Sequence, residues 1–571
     1  MIIRGGIIFD PANGIFGEEM DVCVEKGRVV EDAKGEEIDA RGLLVMPGGV
    51  DAHSHIAGGK VNTGRIMRPD DSRLGAEPRT KICRPSTGYT VPNCYATGYR
   101  YAKLGYTTAF EAATPIISAR HTHEELEEIP ILDKGALTLF GNNWEVMECV
   151  RENDIPKLAA FVAWGLRASK GYGVKIVNPG GGEAWGFGSN VKGLNDPVPN
   201  FDITPADIIR GLAQANELLK LPHSIHLHFN NTGKPGNYAT AIETLELLKG
   251  IRSTRMRQVV HVAHMQFSAY GGASWRDFES KAPIIADYMN QNSHATMDLG
   301  QLLFGSATTM TADAPLEYGN ARLTHNKWSN LDIELEESSG VVPMVYMRKS
   351  LVNAVQWAIG LELALLTKDP WKVLMTTDHP NGSPFVNYPE VISMLMSKPK
   401  REAEMATLHE QVSKRTVLST VDRELDWNDI TIMTRAAPAR VLGLGDKGHL
   451  GVGADADVSV YNIKPEEVDP SKEHQLLKKA MSTAKYTIKG GMLVAKEGEI
   501  LAVPVGRTYW VDATVPQVDM DRLMIDIKEK FEKYYSICLS NYMVQDAYVP
   551  NPLIIKAGLQ LEPSQPIEEV A

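Results

Sequence analysis

Cysteine is scarce: Cys23, Cys83, Cys94, Cys149 and Cys538 are the only five in 571 residues, and no two stand at CxxC spacing. That scatter excludes a disulfide framework and an iron–sulfur cluster held by this chain alone, so no redox cofactor is expected here. Lysine- and arginine-rich runs are also missing, and the formal charge is -12. A chain of that sign is a poor partner for nucleic acid or an anionic membrane surface. No stretch reaches the roughly 18 consecutive apolar residues of a membrane span. The opening MIIRGGIIFDPANG lacks the apolar core and small-residue cleavage site of a signal peptide, so a reducing cytoplasm is the expected location.

What is present is an ordinary globular composition, 43% hydrophobic and 23% charged, able to bury a large core without staples. The length suits several domains of about 150 residues, or one barrel with insertions and a smaller companion. Residues 1–49 contain short strand-like runs, IIRGGIIFD, MDVCVEKGRVV and GLLVM, separated by PANG and KG turns. The same texture returns in 441–512, in ADADVSVYNI and YTIKGGMLVAKEGEI, which predicts one small β-domain built from both chain ends. Between them, 50–440 alternates apolar runs (TTAFEAA, GVKIVN, SIHLHFN, QVVHVAHM, KVLMTTD) with helical patterns. TPADIIRGLAQANELLKL, with Thr204 as N-cap, and NYATAIETLELLKG show the three-and-four apolar spacing of helices. Such alternation predicts a parallel α/β sheet, open or closed into a barrel. Residues 513–571 read as a C-terminal helical extension, VDMDRLMIDIKEKFEKYY, running into Pro-rich acidic sequence.

Chemistry concentrates in a few places. In MPGGVDAHSHIAGG, His53 and His55 stand at i and i+2, so on a strand they share a face and can grip one ion. The motif sits where a first barrel strand would end. Lys175, His228, His264 and Asp378 fall at the ends of later candidate strands, where the loops of a (β/α)8 barrel gather its active site. Spacing leaves His226 beside His228 and His261 beside His264; the later histidine of each pair is favoured because it lies nearer the strand end. His223 is placed in a preceding turn.

HSH after MPGGVDA, the strand-borne lysine, the two later histidines and the Asp of TTDHP together resemble the amidohydrolase superfamily, in its dihydroorotase and hydantoinase branch. HSHIAGGKVNTGRIMRPDDSR, YGVKIVNPGGGEAWGFG and MTTDHPNGSPF resemble, more closely, the family of hydrolase subunits of formylmethanofuran dehydrogenase. The resemblance implies a (β/α)8 barrel over 50–440. It further implies two zinc ions on His53, His55, His228, His264 and Asp378, bridged by an N6-carboxylated Lys175, with Asp378 as the catalytic acid–base. The reaction implied is reversible condensation of formate with the amine of methanofuran. Partners implied are molybdenum or tungsten formate dehydrogenase-like and iron–sulfur subunits, which agrees with the lack of a cluster or molybdopterin motif in this chain. Arg65 and Arg68 in the long segment after the first strand, with Asn178 and His379 beside two ligands, are the expected substrate contacts. Two readings compete: a cyclic-amide hydrolase on the same metals, and a metal-free assembly scaffold.

Overall fold

A computed structural model describes residues 1–255, 257–332 and 337–559. Its centre is a barrel of eight parallel strands: β1 (Gly49–Ser54), β2 (Tyr106–Thr114), β3 (Asp133–Leu139), β4 (Gly173–Val177), β5 (Ile225–His228), β6 (Val260–Val262), β7 (Ala295–Asp298) and β8 (Val373–Leu374). Each pairs in parallel with the next. The ring closes where Ser54 bridges His379 and the His55 N–H donates to the His379 carbonyl at 2.7 Å. Every residue of these strands is buried, as expected when helices cover one face of a parallel sheet and the barrel interior the other.

The five expected strands are observed as β2, β4, β5, β6 and β8. The expected helices occur at Pro205–Leu218 and Tyr238–Leu248. The first begins with a reciprocal cap: the Asp207 N–H donates to the Thr204 hydroxyl, and the Thr204 N–H donates to the Asp207 carboxylate. This satisfies two backbone donors that a helix start would otherwise leave open.

The register across β4 to β7 sets Lys175, His226, His261 and Thr296 side by side in one layer of the interior. Barrel layers are usually filled by branched aliphatic side chains. A polar layer in that position has to be completely hydrogen-bonded or to hold something.

Both chain ends build the second sheet. Leu44–Pro47 and Ile2–Asp10 lie at its middle, and Val458–Tyr461 pairs antiparallel with the former. Its own small core includes Ile3, Val22, Val45, Val458 and Ile488. The last described segment does not join that sheet. Thr508–Thr514 pairs in parallel with β3 and with Pro552–Gly558, and helix Gln517–Tyr534 between them buries Leu523 and Ile527 against Ile155–Ser169. Residue 512, the expected end of the β-domain, thus falls inside a strand that extends the barrel sheet.

A buried ion network bolts these parts together. Asp133 on β3 meets Lys489 Nζ at 2.7 Å, Lys447 Nζ at 2.6 Å and Arg507 at 2.7 Å. Asp457 and Asp455 share the same cations, at 2.5 and 2.8 Å from Lys447. Three carboxylates face three cationic side chains, Lys447, Lys489 and Arg507, which lie against the acids. Burial opposes ionisation of Asp133, but the lysines and arginine outweigh it and hold its pKa well below the usual range. Removing one member leaves an uncompensated buried charge, so Lys447→Met is expected to cost about 3–5 kcal/mol. The checking measurement is the urea midpoint, and an unchanged midpoint would contradict this assignment.

Candidate metal centre

His53 lies near the end of β1 and His55 just beyond it. Gly49 precedes them because a Cβ there would stand 2.4 Å from the Tyr106 ring. Nε2 of His53 and Nε2 of His55 approach the same carboxylate oxygen, Oδ1 of Asp378, at 3.2 and 3.5 Å. Across the mouth, Nδ1 of His228 and Nε2 of His264 stand 3.0 Å apart. Lys175 is 2% exposed, and its Nζ has no hydrogen-bond partner among the described residues.

The backbone is bent to aim these groups. Asn178, His264 and Asp378 have φ of 41°, 34° and 49°, in the left-handed region that only glycine enters freely. Strain of this kind persists where surrounding structure enforces it and clusters at functional sites. Gly300 packs against His264: a Cβ there would meet the His264 Cβ at 2.4 Å.

Behind three of the histidines stands a carboxylate on the far ring nitrogen. His53 Nδ1 is 2.9 Å from Asp298, His55 Nδ1 is 3.1 Å from Glu111, and His228 Nε2 is 3.2 Å from Asp313. Each carboxylate is itself anchored. Glu111 accepts the Ile56 and Ala57 N–H groups, Asp298 accepts the His264 N–H, and Asp313 accepts Asn178 Nδ2 and the Leu316 N–H. Such partners fix which nitrogen carries the proton and which presents a lone pair.

The electrostatics ask for a cation. Burial alone would lower the His53 pKa, but Asp298 and Asp378 together push it up to about 9. Burial pushes Lys175 down to about 8 against the same two acids. Acidic oxygens and imidazole lone pairs therefore converge in a dry place on positive charge. Among the described residues Lys175 Nζ, Asp378 Oδ1 and His264 Nδ1 have no hydrogen-bond partner of good geometry, which fits a site that holds a further group.

Above it opens a cavity of about 620 Å³ whose floor is His228, His264 and Asp378. Its wall is largely apolar and comes from Phe267, Tyr270 and an insertion between β7 and β8. That insertion is a three-stranded antiparallel sheet (Gly305–Thr311, Ser329–Asp332, Ser338–Tyr346) with helix Ala314–Thr324. Leu316, Asn320 and Tyr346 face the cavity from it, as does Glu317, a buried carboxyl pushed up to about 8 by desolvation.

Residues 36–495 match the Amidohydrolase family. Protein FwdA of Methanocaldococcus jannaschii is 51% identical over 563 residues, 97% of this chain and 98% of that protein. The chain belongs to the amidohydrolase family, in its FwdA branch. A second relative, from the formyltransferase/hydrolase complex Fhc of Methylorubrum extorquens, is 36% identical over 96% of this chain and 97% of its own. The crystal structure of the Methylorubrum extorquens formyltransferase/hydrolase complex with methylofuran contains a chain that superposes with a TM-score of 0.88 at 34% identity, covering 97% and 99%.

Within this amidohydrolase the six expected ligands are gathered at one barrel mouth, but the four expected substrate contacts are not on the cavity wall. The Arg65 guanidinium pairs with Glu125 at 2.7 Å and donates to the Pro92 carbonyl. Arg68 donates to the Ala307 carbonyl at 2.8 Å. Asn178 holds Asp313, and His379 Nδ1 accepts the Phe385 N–H. Charge and proximity in sequence signal these four; nothing in sequence shows that their polar atoms have protein partners. The wall residues escape sequence reading because the insertion carries no motif.

Asp313→Asn separates orientation from folding: the amide oxygen can still cap helix Ala314–Thr324, while its NH2 cannot accept from His228. Metal affinity is expected to fall about 10- to 100-fold with Tm unchanged. Calorimetric zinc titration of the metal-stripped chain checks it, and equal affinity would contradict the orienting role.

Proposed function

We propose that this chain is the dinuclear-zinc hydrolase of a larger complex, reversibly condensing formate with the primary amine of methanofuran to give N-formylmethanofuran and water. The observation that carries this reading is the convergence of His53 Nε2, His55 Nε2 and Asp378 Oδ1 beside the His228–His264 pair, under an apolar cavity. His53, His55 and Asp378 would hold one ion, and His228 and His264 the other. A carboxylated Lys175 would bridge them. Imidazole and carboxylate donors suit zinc. Burial favours the neutral Lys175 amine, and its nitrogen can then add to CO2, forming an N–C bond and releasing a proton. The bound pair would supply Lewis acidity and water acidified towards neutrality.

The chain's own groups do the rest. In the hydrolytic direction Asp378 takes the proton of the attacking water and delivers it to the departing amine nitrogen. Phe267, Tyr270 and Tyr346 keep bulk water from the reacting carbon and offer aromatic surface to the body of the amine. Backwards, the neutral amine attacks the formate carbon, a C–N bond forms, and one formate oxygen leaves as water, taking one proton from the amine through Asp378 and one from solvent. Condensing a carboxylate with an amine in water is uphill, so formate has to arrive from coupled chemistry. Membership of a CO2-reducing complex with formate dehydrogenase-like and iron–sulfur subunits would meet that need. The methylofuran bound in the Methylorubrum extorquens formyltransferase/hydrolase complex supports a substrate of the methanofuran type.

The purified complex is expected to hydrolyse N-formylmethanofuran and to leave hydantoin and dihydrouracil untouched. The reverse selectivity would establish a cyclic-amide hydrolase instead. In the same preparation Lys175→Ala is expected to lose the paired zinc and turnover, and unchanged zinc content would refute the bridging carbamate.

A further inference from the structure

His223, His226 and His261 are buried completely, contact no part of the cavity, and are not among the six groups assigned above. They form a column down the barrel axis beneath His53. The Val441 carbonyl, on helix Ala437–Leu442 below the barrel, lies 2.8 Å from His223 Nδ1. His223 Nε2 lies 3.1 Å from His226 Nδ1, and His226 Nε2 lies 3.0 Å from His53 Nδ1.

The direction of every hydrogen bond in this column follows from its lower end. A carbonyl oxygen only accepts, so His223 Nδ1 carries the proton. Burial keeps His223 neutral, its pKa pushed down to about 3, so its Nε2 is an acceptor. His226 Nδ1 must then donate, and its Nε2, 3.8 Å from the nearest carboxylate oxygen and so beyond hydrogen-bond reach of it, is left as an acceptor. That nitrogen faces His53 Nδ1, and so does the acceptor-only carboxylate of Asp298 at 2.9 Å. Both neighbours of His53 Nδ1 accept, so Nδ1 carries a proton, and Nε2 is the nitrogen left for a metal ion on the Asp378 side. His261 completes the base of the arrangement, with Nε2 at 3.2 Å from the same Asp298 oxygen and Nδ1 at 2.9 Å from Thr296 Oγ1.

We infer that His223 and His226 are positioning residues that set the tautomer of His53, holding its Nε2 free for a metal ion. This rests on the reading of His53 as a ligand. His53 Nδ1, His226 Nε2 and Asp298 Oδ2 also lie close enough together to hold an ion themselves. His53 cannot give Nδ1 to a lower ion and Nε2 to an upper one without losing both ring protons, so the column and a third ion exclude each other.

Two substitutions test this in the full-length chain, with zinc as the probe and competition against a chromophoric chelator as the readout. His226→Asn can keep a donor towards His223 but removes the acceptor facing His53. His226→Gln can place its amide oxygen where Nε2 stood. The Asn variant is expected to bind zinc about 10-fold or more weakly, and the Gln variant to regain most of that loss. Nitrogen NMR of 15N-histidine-labelled chain should show the Nδ1–H form of His53 in the parent and Gln chains and a mixture in the Asn chain. Two ions bound by the Asn variant with parental affinity would overturn the column while leaving the metal centre intact. A third zinc in the parent, lost in both variants, would overturn it in favour of a lower metal site. A parent that binds no zinc would refute the metal centre, and the column's role with it.

Discussion

Two imidazole nitrogens and a carboxylate oxygen meet at the barrel mouth, Nε2 of His53 and of His55 standing 3.2 and 3.5 Å from Oδ1 of Asp378. In water such groups would be hydrated, but His53, His55 and Asp378 are each at most 3% exposed. Bringing lone pairs and negative charge together in a low-dielectric place costs several kcal/mol unless a cation lies between them. The surroundings are arranged around that requirement. Glu111, Asp298 and Asp313 each hold a ring from behind, and three residues accept left-handed backbone angles so that their side chains reach inward. An apolar fold would gain nothing from these features.

The rest of the molecule serves the same point from two directions. Below, the polar layer of the barrel turns an interior normally filled with branched aliphatics into a hydrogen-bonded support. Above, the insertion between β7 and β8 roofs the site, and Asp313 ties that roof to His228. One carboxylate oxygen caps helix Ala314–Thr324 and the other accepts from the ring. The position of the cavity wall and the orientation of the His228 ring therefore share one residue. The ion network around Asp133 holds the β-domain and the C-terminal strands to the underside, away from the chemistry.

Much of this is legible in sequence because the barrel puts function at strand ends, and strand ends can be found from apolar runs. His53 and His55 are readable from their two-residue spacing. The same period puts His226 and His228 on one face; their order along the strand favours His228 for the mouth, and the register sets His226 beside Lys175 in the layer below. Strand β7, ATMD, escapes notice because four residues ending in an acid carry no alternation to detect; with it goes Asp298, the carboxylate that holds His53. Arg65 and Arg68 mislead for a different reason. A guanidinium advertises charge but not its partner, and Glu125 and the Ala307 carbonyl are distant in sequence.

The central claim is that two cations share the barrel mouth through a modified Lys175. Crystallography of the chain purified without chelators, with data on both sides of the zinc absorption edge, addresses it directly. The account predicts two anomalous peaks, one beside His53, His55 and Asp378 and one beside His228 and His264, joined by density extending beyond Lys175 Nζ. A single peak, or none, with an unmodified lysine would contradict it.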